Sequence, residues 1–142
     1  MRIKPAYLLA CIFFVFFTAC KHELTQVTEE IYDDGSPRVV RFYDESGGKK
    51  ELKSEKTYYK GMKLQTEGAY KDNKREGLWV YYYENGNKWS ETEFKNGVND
   101  GRSVTYFENG KVRYEGFYKN DMKTGKWKFY NESGKLEKEV DF

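Results

Sequence analysis

The side chains that could do covalent or metal chemistry are few in this sequence, and they lie at one end. Both cysteines, Cys11 and Cys20, and the single histidine, His22, fall near the start of a 142-residue chain. Cys11 sits in the uncharged stretch Pro5 to Ala19, which contains the run CIFFVFF and follows the basic residues Arg2 and Lys4. A basic start followed by an apolar stretch shorter than the roughly 20 residues of a spanning helix reads as a signal peptide. With Cys11 inside that leader and His22 alone, neither a nucleophile–His–carboxylate triad nor a His- or Cys-based zinc site can be assembled. No catalytic residue, no metal ligand and no cofactor is expected, and no small-molecule substrate is evident.

The leader ends in Thr18 and Ala19 directly before Cys20, and Lys21, His22 and Glu23 beyond it are polar. FTAC resembles the lipobox of bacterial lipoproteins, with Phe17 standing where that pattern most often has Leu. The resemblance implies cleavage before Cys20 and a lipid on its thiol. Lys21, in place of Asp, resembles the outer-membrane sorting pattern of Gram-negative lipoproteins. The expected organisation is a signal peptide over 1–19, a lipid-anchored tether over 20–28, and a folded region over 29–142 in the cell envelope.

Charge removes another class. The chain has 25 Lys and Arg against 23 Asp and Glu, and loss of Arg2 and Lys4 with the leader leaves 23 of each. Nucleic-acid binding depends on clustered cations that neutralise phosphates. A balanced chain outside the cytoplasm is not expected to bind nucleic acid.

The elements come from a repeat. After residue 20 the chain holds 12 Tyr, 6 Phe and 3 Trp but only 14 Ile, Leu and Val, and no apolar positions recur at helical spacing. Self-comparison gives a period of 24 residues over Lys63–Gly86, Asn87–Gly110 and Lys111–Gly134, aligned without a gap. Its columns include Glu67, Glu91 and Glu115; Tyr70, Phe94 and Tyr118; Lys71, Lys95 and Lys119; Gly77, Gly101 and Gly125; and Tyr82, Tyr106 and Tyr130. Partial units flank the array, FYDESG (42–47) matching FYNESG (129–134) and KLEKEVDF (135–142) matching the start of a unit. Glu55 and Glu67 are only 12 apart, which suggests a hairpin arm lost or rearranged near Tyr58–Met62.

Each unit reads as two short strands, giving an all-β fold: an elongated antiparallel meander of repeated hairpins. Asn85-Gly86 and Asn109-Gly110 predict tight two-residue turns with both central φ angles positive. The other connection, Asp72–Glu76 and its equivalents, ends on the Gly column and predicts a looser turn or bulge. Alternation puts Trp79, Tyr81 and Tyr83 on one face with Ser103, Thr105, Phe107, Trp127 and Phe129, and puts Val80 and Tyr82 on the other. Gly68 and Gly116 share a face with Tyr70 and Tyr118, so aromatic rings could lie over bare backbone.

At these columns the sequence resembles the MORN-repeat variant family, whose units have the form EGxYKNGxxxGxWxxYYENGK. The resemblance implies a sheet of β-hairpins used for binding and scaffolding at membranes or against other proteins. Some bacterial members are labelled antitoxins. Thr92 replaces the Gly found at 68 and 116, and Ser103 replaces Trp, which suggests looser packing in the middle repeat.

Three constellations have a functional and a plainer reading. Equivalent carboxylates of the Glu column lie about 10 Å apart by strand spacing, too far to share a metal ion, so cross-strand charge pairing explains them better. The Lys column could face anionic lipid or could simply keep strand ends soluble. The aromatic residues Trp79, Tyr81, Tyr83, Trp127 and Phe129 could form a binding stripe or the core of the sheet itself. A binding role for that face is the site expectation, since Tyr and Trp dominate interface hot spots. The functional expectation is a non-enzymatic lipoprotein, held to the membrane through Cys20, whose sheet docks a protein partner. The alternative is an antitoxin or immunity protein that occludes a toxin.

Overall fold

The computed structural model describes residues 23–142. The leader over 1–19 and the lipidation site Cys20 lie outside the described residues. Ten strands follow: β1 (Thr25–Ile31), β2 (Pro37–Asp44), β3 (Glu51–Tyr58), β4 (Leu64–Lys71), β5 (Lys74–Tyr82), β6 (Lys88–Lys95), β7 (Val98–Tyr106), β8 (Val112–Lys119), β9 (Met122–Tyr130) and β10 (Leu136–Asp141). They form one antiparallel sheet in chain order, an open meander. The sheet starts earlier than its expected boundary at residue 29. Thr25, Gln26, Val27 and Thr28 already pair with β2, so the expected tether loses its last four residues to β1.

The two kinds of turn are exchanged relative to expectation. The Asn-Gly connections are three-residue loops: Gly86 N–H donates to the Tyr83 carbonyl at 2.9 Å and Tyr83 N–H donates to the Asn87 carbonyl at 2.8 Å. Only the glycines of these loops have positive φ, 88° at Gly86 and 81° at Gly110, as in a type I turn closed by a left-handed residue. Asn85 instead uses its side chain, whose Oδ1 accepts the Asn87 N–H at 2.9 Å. The tight two-residue turns are at the other end of the sheet. There Asp72-Asn73 (φ 52° and 59°), Asn96-Gly97 (53° and 90°) and Asn120-Asp121 (49° and 64°) each put both residues in the left-handed region. The Gly column falls beyond these turns. It sits at a bulge, where Glu67 pairs with Val80 but Ala69 pairs with Glu76, so three residues of β5 face one of β4.

No strand is lost near Tyr58–Met62. Tyr59 N–H donates to the Lys63 carbonyl at 2.8 Å and closes a full turn between β3 and β4. The half-period offset has another origin: FYDESG leads out of β2 at the opposite end of the sheet from FYNESG, with a longer connection over 45–50. The two share turn chemistry, since Ser46 and Ser133 each donate N–H and hydroxyl to the Asp or Asn two residues earlier.

A single-layer sheet of this composition buries little, and what it buries lies along its midline. One face carries Val40, Val80 and Val104, and the other carries Trp79, Trp127, Glu55, Thr66, Ser103 and Thr105. On the second face the same midline position is filled in three chemically different ways. Arg41 Nε and Glu55 form an ion pair at 2.8 Å between β2 and β3. Trp79 lies over Gly68 between β5 and β4, and Trp127 over Gly116 between β9 and β8. Thr92 and Ser103 share a hydroxyl hydrogen bond at 3.0 Å between β6 and β7. The middle repeat is therefore not looser at this position. Ser103 is as buried as its neighbours because the side chain opposite it grew as its own shrank.

Candidate functional site

The Trp–Gly unit is built the same way twice. Around Trp79, Tyr70 packs edge-on at 5.3 Å between ring centres, Phe94 at 6.2 Å on the other side, and the Arg75 guanidinium lies 4.1 Å from the ring centre. Around Trp127, Tyr118 packs at 5.0 Å, Phe142 at 6.1 Å, and the Lys123 ammonium lies 4.5 Å away. Each indole N–H donates to a backbone carbonyl, Trp79 to Ala69 at 3.0 Å and Trp127 to Phe117 at 3.2 Å. Glycine below, rings at the sides and a cation above leave both tryptophans 0% exposed.

This corrects the expected binding stripe. Trp79, Tyr81, Tyr83, Trp127 and Phe129 do share a face, but Trp79 and Trp127 are its core and present nothing to a partner. Tyr81, Tyr83 and Phe129 are half-buried. The Tyr81 hydroxyl accepts from Arg75 Nη1 at 2.8 Å, the Tyr83 hydroxyl donates to the Tyr106 carbonyl at 2.8 Å, and Phe129 carries Lys138 at 4.7 Å.

The third tryptophan is the exposed one. Trp89 is 46% exposed and packs edge-on against Tyr81 at 5.9 Å and tilted against Tyr83 at 6.4 Å. The signal for it was available in the repeat: the equivalent positions are Gln65, Arg113 and Glu137, so the architecture does not ask for an aromatic residue there. Trp89 therefore lies half in solvent between two tyrosines at a position where the repeat does not require an aromatic residue.

The opposite face shows what the Glu and Tyr columns do. The hydroxyls of Tyr82, Tyr106 and Tyr130 donate to Glu67, Glu91 and Glu115 at 2.8, 2.5 and 2.9 Å. Each carboxylate also has a cation: Lys56 at 3.3 Å from Glu67, Lys88 against Glu91, and Arg102 at 2.7 Å from Glu115. Burial works to raise the Glu91 carboxyl, but bonds from Lys88 and Tyr106 outweigh it and hold it below its ordinary value. The Arg102 bond, with help from Tyr130, holds Glu115 down against the effect of burial. Burial and the carboxylate bond push Tyr82 and Tyr106 up to about 12. These are structural pairs, in which each tyrosine hydroxyl and each carboxylate has a partner on the sheet. The Lys column lies exposed beside the two-residue turns, with Lys119 paired to Asp100 at 2.9 Å.

Fold and site together define a non-globular β-hairpin repeat protein with an exposed aromatic cluster on one face. Residues 75–96, 99–120 and 123–142 match the MORN repeat variant model, and this part of the chain consists of three such repeats. Each match covers one of the strands β5, β7 and β9, the three-residue turn and the following strand, so each matched unit in this chain is a hairpin closed at Asn-Gly or Ser-Gly. Repeats of this kind are linked to membrane or protein binding. No curated protein matches the chain.

Proposed function

We propose that this chain is a non-enzymatic, lipid-anchored protein of the cell envelope whose hairpin-repeat sheet is a docking surface for another protein. The observation that carries the reading is Trp89, half in solvent between Tyr81 and Tyr83 where other repeats have polar residues. The leader and the Cys20 context support the anchor, with the outer membrane as its site in a Gram-negative cell. The sheet is suited to docking because its backbone is held by neighbouring strands and its core side chains are fixed, so little order has to be gained on binding.

The test is chemical crosslinking of the protein in its own cells, followed by mass spectrometry of what is attached, with Cys20→Ala as the control. A single stoichiometric protein partner, lost or reduced when Cys20→Ala releases the chain from membranes, is the expected result. Recovery of the protein alone would overturn the docking reading. A stable one-to-one complex with a secreted toxin would replace scaffolding by an immunity role.

A further inference from the structure

Several rings of this sheet already carry a cation of the chain. Lys50 lies 4.0 Å from the Tyr43 ring centre, Arg75 4.1 Å from Trp79, Lys123 4.5 Å from Trp127 and Lys138 4.7 Å from Phe129. Among the described residues, no cation is seated on Tyr81, Trp89 or Tyr83. Beside this cluster, between two successive three-residue turns, runs a groove of about 410 Å³ lined by Tyr83, Phe107, Glu108, Asn109 and Glu132. Its two carboxylates make no hydrogen bond or ion pair among the described residues, while the backbone carbonyls of Glu108 and Glu132 are used by Asn85, Asn87 and Asn109. The turns are thus pinned and the acidic side chains are free. Neither basic side chain beside it lines the groove: Arg113 is placed toward the Phe107 ring at 5.7 Å, and the Lys111 ammonium donates to the Ser133 carbonyl at 2.9 Å.

From this we infer that the groove beside Trp89 seats a basic side chain, arginine or lysine, projected by the protein partner. Tyr83 offers its ring to the groove with Trp89 packed against it at 6.4 Å, and ring faces attract cations electrostatically. Glu108 and Glu132 supply the opposing charge at the rim, which raises the encounter rate and selects against acidic partners. A guanidinium suits the site better than an ammonium, since its flat, weakly hydrated plane can lie against a ring while its N–H groups reach a carboxylate. The inference deepens the docking reading and rests on it for the identity of the partner as a protein.

The probe is tri-arginine amide, titrated into the full chain in detergent and followed by tryptophan fluorescence. Trp79 and Trp127 are 0% exposed, so the response reports chiefly on Trp89. The expected result is a saturable change that weakens with salt, is absent with tri-glutamate amide, and needs about fivefold more peptide in Glu108→Gln/Glu132→Gln. Trp89→Gln, which installs the residue of the preceding repeat, should lose the response, and isothermal titration should show the same weakening without relying on fluorescence. An unchanged affinity in both variants, or no salt-sensitive response at millimolar peptide, overturns the inference. Crosslinking in cells separates this from the broader reading: a partner still captured by both variants leaves docking standing and removes the basic anchor, whereas no partner for the unaltered chain removes docking itself.

Discussion

A Cβ placed on Gly68 would lie 2.2 Å from Cδ2 of Trp79, inside the indole ring system, and the same construction on Gly116 meets Trp127 at 2.2 Å. The absence of a side chain on one strand is what allows a whole indole to lie flat on it from the next. Burial of a tryptophan removes roughly 150–250 Å² from water, on the order of 5 kcal/mol before entropy is counted. In a single-layer sheet with few aliphatic residues, two such units are a large share of the core.

Gly68→Ala should therefore destabilise the protein by about 1–3 kcal/mol through overpacking alone. Urea unfolding would measure it. The middle repeat shows the alternative solution, so Gly68→Thr and Trp79→Ser together should cost less than the sum of the two single changes. A coupling of about 0.5–3 kcal/mol is expected in the double-mutant cycle. Strict additivity would mean that the Thr92–Ser103 hydrogen bond is incidental.

Glu55 occupies the place of Trp79 one repeat earlier, buried and paired with Arg41, whose own pKa is raised by the Glu55 bond. Glu55→Ala removes the carboxylate and leaves a partly buried guanidinium without its partner. A loss of about 1–3 kcal/mol is expected by thermal or urea unfolding. Arg41→Gly with Glu55→Trp should restore much of it by installing a third Trp–Gly unit.

The Glu–Tyr pairs predict the pH dependence of stability. Glu91 and Glu115 titrate below their ordinary range in the fold. The unfolded chain takes up protons first as pH falls, so the stability they contribute is present above the ordinary carboxylate pKa and lost as pH drops through and below it. Tyr82 and Tyr106 are raised from 10.0 to about 12. Between those values the unfolded chain has lost protons that the fold retains, so stability falls as pH rises through this window. Urea midpoints should form a plateau with a shoulder at each end. Tyr106→Phe should reduce the alkaline shoulder and lower the plateau by about 1 kcal/mol.

The exchanged turns make a prediction of opposite sign. Asn73 sits at φ 59° as the second residue of a two-residue turn, where the next repeat has Gly97. Asn73→Gly should be neutral or stabilising by a few tenths of a kcal/mol, because glycine adopts this region without strain. Gly86→Val, at φ 88° with open space around the added Cβ, should cost about 1–2 kcal/mol from backbone strain alone. Differential scanning calorimetry of the two variants would read both signs.

Much of the fold was legible because the repeat prints it three times. The 24-residue period, the alternation of aromatic and polar positions and the Asn-Gly pairs gave strands, faces and antiparallel order. The turn types were not legible, because dipeptide preference alone cannot distinguish two loops that both tolerate a left-handed residue. Asn85 spends its side chain on the Asn87 N–H and stays out of that region, whereas Asp72 and Asn73 enter it together. Trp89 stands out from its column, where the other repeats have Gln65, Arg113 and Glu137, but the period alone does not say that its ring meets solvent.

By itself the sequence determined that this is an all-β hairpin array with its aromatic side chains sorted onto defined faces, since period and alternation are properties of the chain alone. Which of those aromatic residues meet solvent was decided only by the tertiary structure. In a sheet with no second layer, the cover over any ring comes from the strands beside it. Trp79 is buried because Gly68, Tyr70, Phe94 and Arg75 converge on it, and Trp89 is exposed because no comparable set does.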